Sequence, residues 1–333
     1  MRALLVGAAG FIGSNLTRRL LEEGWEVTGV DNFITGRPGN LTECLSNPKF
    51  DFIEADAVQP LKVSGKVDWV LHFASPASPP KYLASPIETL RINSEGTYNL
   101  LTLACLKNAK FFLASTSEVY GDPLVHPQPE TYWGNVNSIG PRSVYDEAKR
   151  YAEAMVYAYN RANGVPVRVI RIFNTYGPFM DIDDGRVVSN IICQALRGAP
   201  ISIYGDGNQT RSFQFVDDLV EGILRLMRVD YQEPVNLGNP EEFSMLELAK
   251  MVKQIVGSAS EIVFHPLPTD DPKRRRPVID RARQVLDWRP TVQLRQGLPR
   301  TIEYFRAELC QSVTRAIPSP RVGSFRQRAF EYT

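Results

Sequence analysis

Short apolar runs separated by longer amphipathic stretches dominate the first half of the chain. Ala3–Val6, Glu26–Val30, Asp51–Glu54, Trp69–His72, Phe111–Ala114 and Val167–Ile172 read as strands. Between them, Phe11–Glu23, Pro86–Lys107 and Val144–Asn163 carry apolar residues at helical spacing. Apolar strands alternating with helices predict a parallel sheet wound by right-handed crossovers, with ligands beyond the carboxyl ends of its strands. After Asn174 the rhythm changes. Gly- and Asp-rich loops separate shorter elements, among them the helical stretches Phe215–Met227, Ser244–Val256 and Leu298–Leu309. The pattern predicts an α/β fold, a doubly wound parallel sheet with a smaller α/β substrate-binding lobe on its C-terminal side. Residues 1–173 form the first domain, with a returning segment near 212–239. Residues 174–310 form mainly the lobe, and 311–333 a tail. Arg315, Arg321, Arg326 and Arg328 give the tail charge but little periodicity. It reads as a solvated end, with a partner-binding or subunit-swapping segment as the alternative.

Composition narrows the function classes. At about 150 residues per domain, 333 residues make about two domains, enough to bury a core without metal or disulfide staples. Lys+Arg is 38 against Asp+Glu 37, a net charge of +1, which excludes the broad basic footprint that nucleic-acid binding needs. Cys44, Cys105, Cys193 and Cys310 are scattered, and His72, His126 and His265 are dispersed. No metal site and a reducing compartment are expected. No apolar run approaches the roughly 20 residues of a membrane span. Met1 and Arg2 lead straight into the first strand, so no leader and a cytoplasmic location are expected.

Gly7-Ala8-Ala9-Gly10-Phe11-Ile12-Gly13 follows the first strand and opens the first helix. Glycines there let the backbone turn tightly against a pyrophosphate, and the helix N-terminus offers free N–H groups. The spacing is G-x-x-G-x-x-G, a variant of the G-x-G-x-x-G dinucleotide fingerprint, and the domain is expected to be of Rossmann type. Asp31 ends the second strand and is placed to accept hydrogen bonds from adenosine ribose hydroxyls, with Asn32 beside it. Its charge also repels a 2′-phosphate, by about 4 kcal/mol at 4 Å and an effective dielectric of 20. NAD is therefore the expected cofactor, although Arg37 nearby could offset that repulsion. Asp56 after the third strand is placed either to meet the adenine amino group or simply as a solvated turn residue.

Tyr145 and Lys149 stand four residues apart on one helix, hence on one face. A tyrosine with a pKa near 10 is a poor base at neutral pH. A neighbouring ammonium and a positive nicotinamide ring are expected to favour the phenolate. Upstream, Ser115-Thr116-Ser117-Glu118-Val119-Tyr120-Gly121 follows a strand, where hydroxyls could bond a sugar hydroxyl under oxidation.

Together these features resemble the extended short-chain dehydrogenase/reductase family, in its nucleotide-sugar-modifying branch. The resemblance runs from Met1 to about Leu309. It rests on His72 to Pro80, Ala114 to Pro123, Ile139-Gly140-Pro141-Arg142 leading to Tyr145-Asp146-Glu147, and Arg171 to Pro178. Gly185 to Asn190, Val235 to Glu242 and Asp270-Asp271-Pro272 continue it. Within the branch it points to the members that decarboxylate UDP-glucuronate to UDP-xylose. A 4,6-dehydratase or 4-epimerase is the alternative, and a non-catalytic NAD-binding regulator a minor one.

The resemblance implies roles. Tyr145 would take the C4 hydroxyl proton, with Lys149 beside it and Thr116 bonding the C4 oxygen. The related dehydratases carry Asp-Glu after the threonine; here the pair is Ser117-Glu118, and a serine cannot protonate a departing hydroxyl near neutral pH. Glu118 would position the sugar or a proton-carrying water. Arg275 would clamp the diphosphate or substrate carboxylate and help protonate C5, with Arg274 and Arg276 as register alternatives. Read on sequence alone, Lys273-Arg274-Arg275-Arg276 is an ordinary solvated charge run. Asn174, Arg186, Val187, Gln209 and Arg211 would face the diphosphate, ribose or sugar. Tyr204 would line the uracil or be a half-buried strand tyrosine. Relatives pair two helices across a homodimer, so the same is expected here.

Overall fold

The computed structural model describes residues 1–266 and 274–316, without the side chains of 311–316. The tail residues Arg321, Arg326 and Arg328, the side chain of Arg315, and the Asp270-Asp271-Pro272 segment lie outside the described residues.

The first half winds as the apolar pattern predicts. In chain order come β1 (Arg2–Val6), α1 (Phe11–Glu22), β2 (Glu26–Asp31), β3 (Phe50–Glu54), β4 (Trp69–His72), α2 (Pro79–Ala84), α3 (Pro86–Arg91), α4 (Thr97–Lys107), β5 (Lys110–Thr116), α5 (Ser143–Asn163) and β6 (Val167–Ile172). The second half adds β7 (Thr175–Tyr176), α6 (Val187–Arg197), β8 (Ile201–Tyr204), β9 (Thr210–Ser212), β10 (Gln214–Phe215), α7 (Val216–Arg228) and β11 (Val235–Leu237). It closes with β12 (Glu242–Ser244), α8 (Met245–Val256), β13 (Ile262–His265), β14 (Arg274–Arg275), α9 (Asp280–Leu286) and α10 (Leu294–Ala316).

Seven strands form one parallel sheet in the order β11-β6-β5-β4-β1-β2-β3. Its inner strands are covered on both faces: Leu4, Leu5, Val70, Leu71, Phe111 and Phe112 have no exposed surface. That burial explains why these runs are apolar throughout instead of alternating. The chain order reverses between β1 and β4, and β1, β4 and β5 all end at the same edge, where such sheets bind ligands.

Helical periodicity predicts one helix over Pro86–Lys107; the structure breaks it. A π turn at Ile92–Gly96 separates α3 from α4. Asn93, fully buried, donates to Thr89 O at 2.8 Å and to Ser75 Oγ at 2.9 Å, and Thr97 Oγ1 donates to Asn93 O at 2.8 Å. Side chains competing for the helix's own carbonyls, with one anchored on a neighbouring loop, account for the widened turn.

The smaller lobe is built from short strands. β9 is the centre of a three-stranded sheet, antiparallel to β12 and parallel to β14, and sets Arg275 opposite Arg211. The segment after β14 is also tied to the loop that follows β5. Gln128 N donates to Arg276 O, Arg276 N to Gln128 Oε1, and Val278 N to Gln128 O, each at 2.9 Å.

Candidate active site

The nucleotide end begins where β1 stops. Gly7 takes a left-handed φ of +89°, and a Cβ there would lie 2.6 Å from Ala74 N. At Gly13 a Cβ would come 1.9 Å from Gly7 O, so α1 can sit on the turn only because both side chains are missing. Gly10 caps α1 without any side-chain hydrogen bond, which leaves the first-turn N–H groups of Phe11, Ile12 and Gly13 for an anion. Asp31 accepts from Ala9 N at 2.8 Å and Phe33 N at 2.9 Å. Burial pushes its carboxyl above the usual aspartate range, and those N–H groups oppose the shift. Asn32 Oδ1 accepts from Ile34 N at 3.2 Å, and Asp56 Oδ1 from Val58 N at 2.9 Å. A backbone cradle that no side chain can fill, followed by a fixed acid at the end of β2, fits a dinucleotide.

The catalytic end is assembled by β5 and α5. Thr116 Oγ1 accepts from Glu118 N at 3.2 Å, and the Thr116 hydroxyl also bonds the Tyr145 phenol. α5 buries Tyr145, Ala148, Lys149, Ala152, Glu153 and Val156, the stripe expected of a helix packed on a sheet. Lys149 Nζ donates to Ala114 O at 3.0 Å and lies 5.8 Å from the centre of the Tyr145 ring. Tyr82 of α2 stacks on that ring at 5.3 Å, nearly parallel.

The electrostatics here correct the argument from spacing. Burial, not the lysine, dominates Tyr145 and holds its phenol well above the ordinary value, while the Thr116 bond and Arg186 pull it down. Burial likewise lowers Lys149 to about 7, opposed by the Glu153 carboxylate. Glu153 is in turn held by Ser115 Oγ at 2.6 Å and by Arg171 Nη2 at 2.7 Å. An i, i+4 spacing brings the pair together but does not by itself activate the phenol.

Beyond Thr116 a short 3-10 turn, Ser117–Tyr120, presents Ser117 and Glu118. Arg275, 2% exposed, reaches both: Nη1 donates to Ser117 Oγ at 3.3 Å and to Glu118 Oε1, and Nη2 to Gly121 O at 2.6 Å. Arg274 is exposed, and Arg276 lies 3.6 Å from Glu242, away from this cluster. Arg142 at the start of α5 takes the other Glu118 oxygen, Oε2. Bracketed by two guanidiniums, the Glu118 carboxyl is held down at about 2 despite its burial. Asp146, beside it, is pushed up to about 7, first by burial and then by the Glu118 charge.

Apart from the register alternatives Arg274 and Arg276, the site residues expected from the sequence border one cavity of about 650 Å³, among them Asn174, Val187, Gln209 and Arg211. Arg186 there is gripped by Asp184, whose oxygens accept from its Nε at 2.5 Å and its Nη2 at 2.8 Å. Tyr204 lies at the end of β8, 46% exposed, on the rim. The sequence reading gave no role to Arg142, Tyr82, Asp184 or Asp146. Arg142 directly precedes the helix that carries Tyr145, so only its nearness in the chain could have pointed to it. Asp184 stands two residues before Arg186 and pairs with it locally, whereas Tyr82 carried no signal, because it joins the site through a tertiary contact.

The model of the NAD dependent epimerase/dehydratase family matches residues 3–238. UDP-glucuronic acid decarboxylase 1 of Xenopus tropicalis is 54% identical over 321 residues, covering 96% of this chain and 76% of that protein. UDP-glucuronic acid 4-epimerase from Bacillus cereus, solved with UDP-glucuronic acid and NAD, superposes with a TM-score of 0.83 at 28% identity, over 92% of this chain and all of that one. The dTDP-glucose 4,6-dehydratase DesIV from Streptomyces venezuelae, solved with NAD and TYD, gives 0.85 at 26% identity, over 93% of this chain and 98% of that one.

Proposed function

We infer the function from one premise, that the chain belongs to the NAD dependent epimerase/dehydratase family. It decarboxylates UDP-glucuronate, the reaction named for relatives that are 51–54% identical. The observation that carries this reading over dehydration is the state of Glu118. Eliminating water requires an acid to protonate the departing hydroxyl. Ser117 cannot do so, and the neighbouring Glu118 carboxyl, held at about 2 between Arg142 and Arg275, is no acid near neutrality. Asp146, raised to about 7, is buried and does not border the cavity. The same guanidiniums favour a substrate that brings a carboxylate.

A carboxyl group on C5 leaves reluctantly while C4 carries a hydroxyl. Once C4 is a ketone, the electrons of the breaking bond enter an enolate, and protonation at C5 followed by reduction at C4 gives UDP-xylose. When bound, NAD supplies a reversible hydride acceptor and a positive charge that favours the Tyr145 phenolate. Gly7, Gly10, Gly13 and the first turn of α1 would hold its pyrophosphate and Asp31 a ribose. Tyr145 takes and returns the C4 hydroxyl proton, sharing it with Thr116. Lys149 supplies positive charge beneath the ring, and Glu153 sustains that charge. Arg275 holds the carboxylate side of the sugar and offsets charge that develops as CO2 departs. Arg186, Arg211, Asn174 and Gln209 hold the nucleotide part, so the lobe over 174–310 selects the substrate.

Incubation with UDP-glucuronate, without added NAD, is expected to release CO2 and yield a nucleotide sugar lighter by that amount. A product of unchanged mass would mean epimerisation, and loss of water dehydration.

The chain is further read as a cytoplasmic homodimer. No helix among the described residues is long and apolar enough to cross a membrane. Along α3, α4 and α5, Ile87, Leu90, Tyr98 and Tyr151 are exposed beside a groove lined by Glu95, Asn99 and Met155. Burying this face against its copy gives a four-helix contact. Light scattering at micromolar concentration is expected to return twice the chain mass; a monomer mass would reject the assembly.

A further inference from the structure

We propose that Glu308, on the C-terminal helix α10, is a determinant of cofactor choice: by holding the Arg37 guanidinium, it keeps that cation from reading an adenosine 2′-phosphate. The proposal rests on the dinucleotide reading of the cavity and deepens it.

The turn bearing Arg37 frames the acid at the end of β2. A Cβ on Gly36 would lie 2.7 Å from Asp31 Oδ1, so the chain passes directly across that carboxylate. Arg37 N donates to Ala9 O at 3.0 Å, and Ala9 N donates to Asp31 Oδ2 at 2.8 Å. Arg37 thus borders the part of the cavity assigned to the adenosine ribose. An arginine at this place is what accommodates a 2′-phosphate in dinucleotide sites, because its planar fork pairs with phosphate oxygens.

In this chain the fork is otherwise engaged. Arg37 Nη2 donates to Glu308 Oε2 at 2.7 Å, from a residue 271 positions away. Its Nη1 is buried without a hydrogen-bond partner. Asp181 and Tyr304 also face the guanidinium and reinforce its charged form. A 2′-phosphate would therefore meet two separate obstacles. Asp31 repels it, and the nearest fork is neutralised by a carboxylate from a different part of the chain. Removing Asp31 alone leaves the second obstacle standing.

The test is a titration of NAD+ and NADP+ by calorimetry, using protein stripped of bound nucleotide, read as the ratio of dissociation constants. The set is wild type, Asp31→Ser, Glu308→Gln, the double variant, and the double variant with Arg37→Gln. Adding Glu308→Gln to Asp31→Ser is expected to shift the ratio toward NADP+ by about tenfold or more. Adding Arg37→Gln is expected to abolish that gain. No gain from Glu308→Gln, or a gain that survives loss of Arg37, overturns the proposal. NAD+ binding by the wild type, in the same series, tests the dinucleotide site independently.

Discussion

Tyr145→Phe is expected to slow the first oxidation by about 10²–10⁴, the span of a positioned acid–base group. The ring is 5% exposed and stacks on Tyr82, and phenylalanine keeps both contacts. What disappears is the oxygen that bonds Thr116, the one to which the proposed mechanism gives the C4 hydroxyl proton. NAD and UDP-glucuronate should still bind within a few-fold. Stopped-flow absorbance should show no transient NADH after mixing, because the lost step is the one that generates it. Near-normal turnover would sink the mechanism, whatever the family resemblance.

Arg275→Ala is expected to separate oxidation from decarboxylation. Its guanidinium hydrogen-bonds to Ser117, Glu118 and the Gly121 carbonyl, whereas the Tyr145 phenol bonds Thr116. The NADH transient should survive while CO2 release falls by about 10²–10³, the cost of removing one donor aimed at developing charge. Full restoration by high UDP-glucuronate would instead make the arginine a simple substrate anchor. The pH response follows from Glu118. Its carboxyl is depressed to about 2, so its contribution to stability is complete above the ordinary glutamate range and is lost as pH falls toward 2. Without Arg275 the carboxyl rises toward its ordinary value, so that contribution shrinks and its loss is complete at a higher pH. Arg275→Lys keeps a charge but not the fork; it should retain acid resistance better than it retains decarboxylation.

The fold, and most of the residues that line the candidate site, could be read from local pattern because their causes are local. Strands buried on both faces announce a parallel sheet, and a glycine turn between strand and helix announces a nucleotide cradle. Tyr145 and Lys149 could be paired by helical spacing alone. What escaped depends on contacts between distant segments. The π turn at Ile92–Gly96 follows from Asn93 reaching Ser75, which no periodicity encodes. Burial of Tyr145, which reverses the expected direction of its pKa, is a property of the packed whole. Among four consecutive cations, only the pairing of β14 with β9 and the closing of Arg275 onto Glu118 distinguish one arginine from its neighbours.

That pairing also constrains traffic through the cavity. On one side the segment bearing Arg275 is stitched to β9; on the other, Arg276 and Val278 are stitched to Gln128, in the loop leaving β5. The seam therefore ties the short strands around Arg275 to the loop that leaves β5, beside the cavity. A clamshell swing of the lobe as a rigid jaw would tear it. Such an opening would cost these backbone bonds, so small movements of rim side chains and short loops are the less costly way to admit a nucleotide sugar.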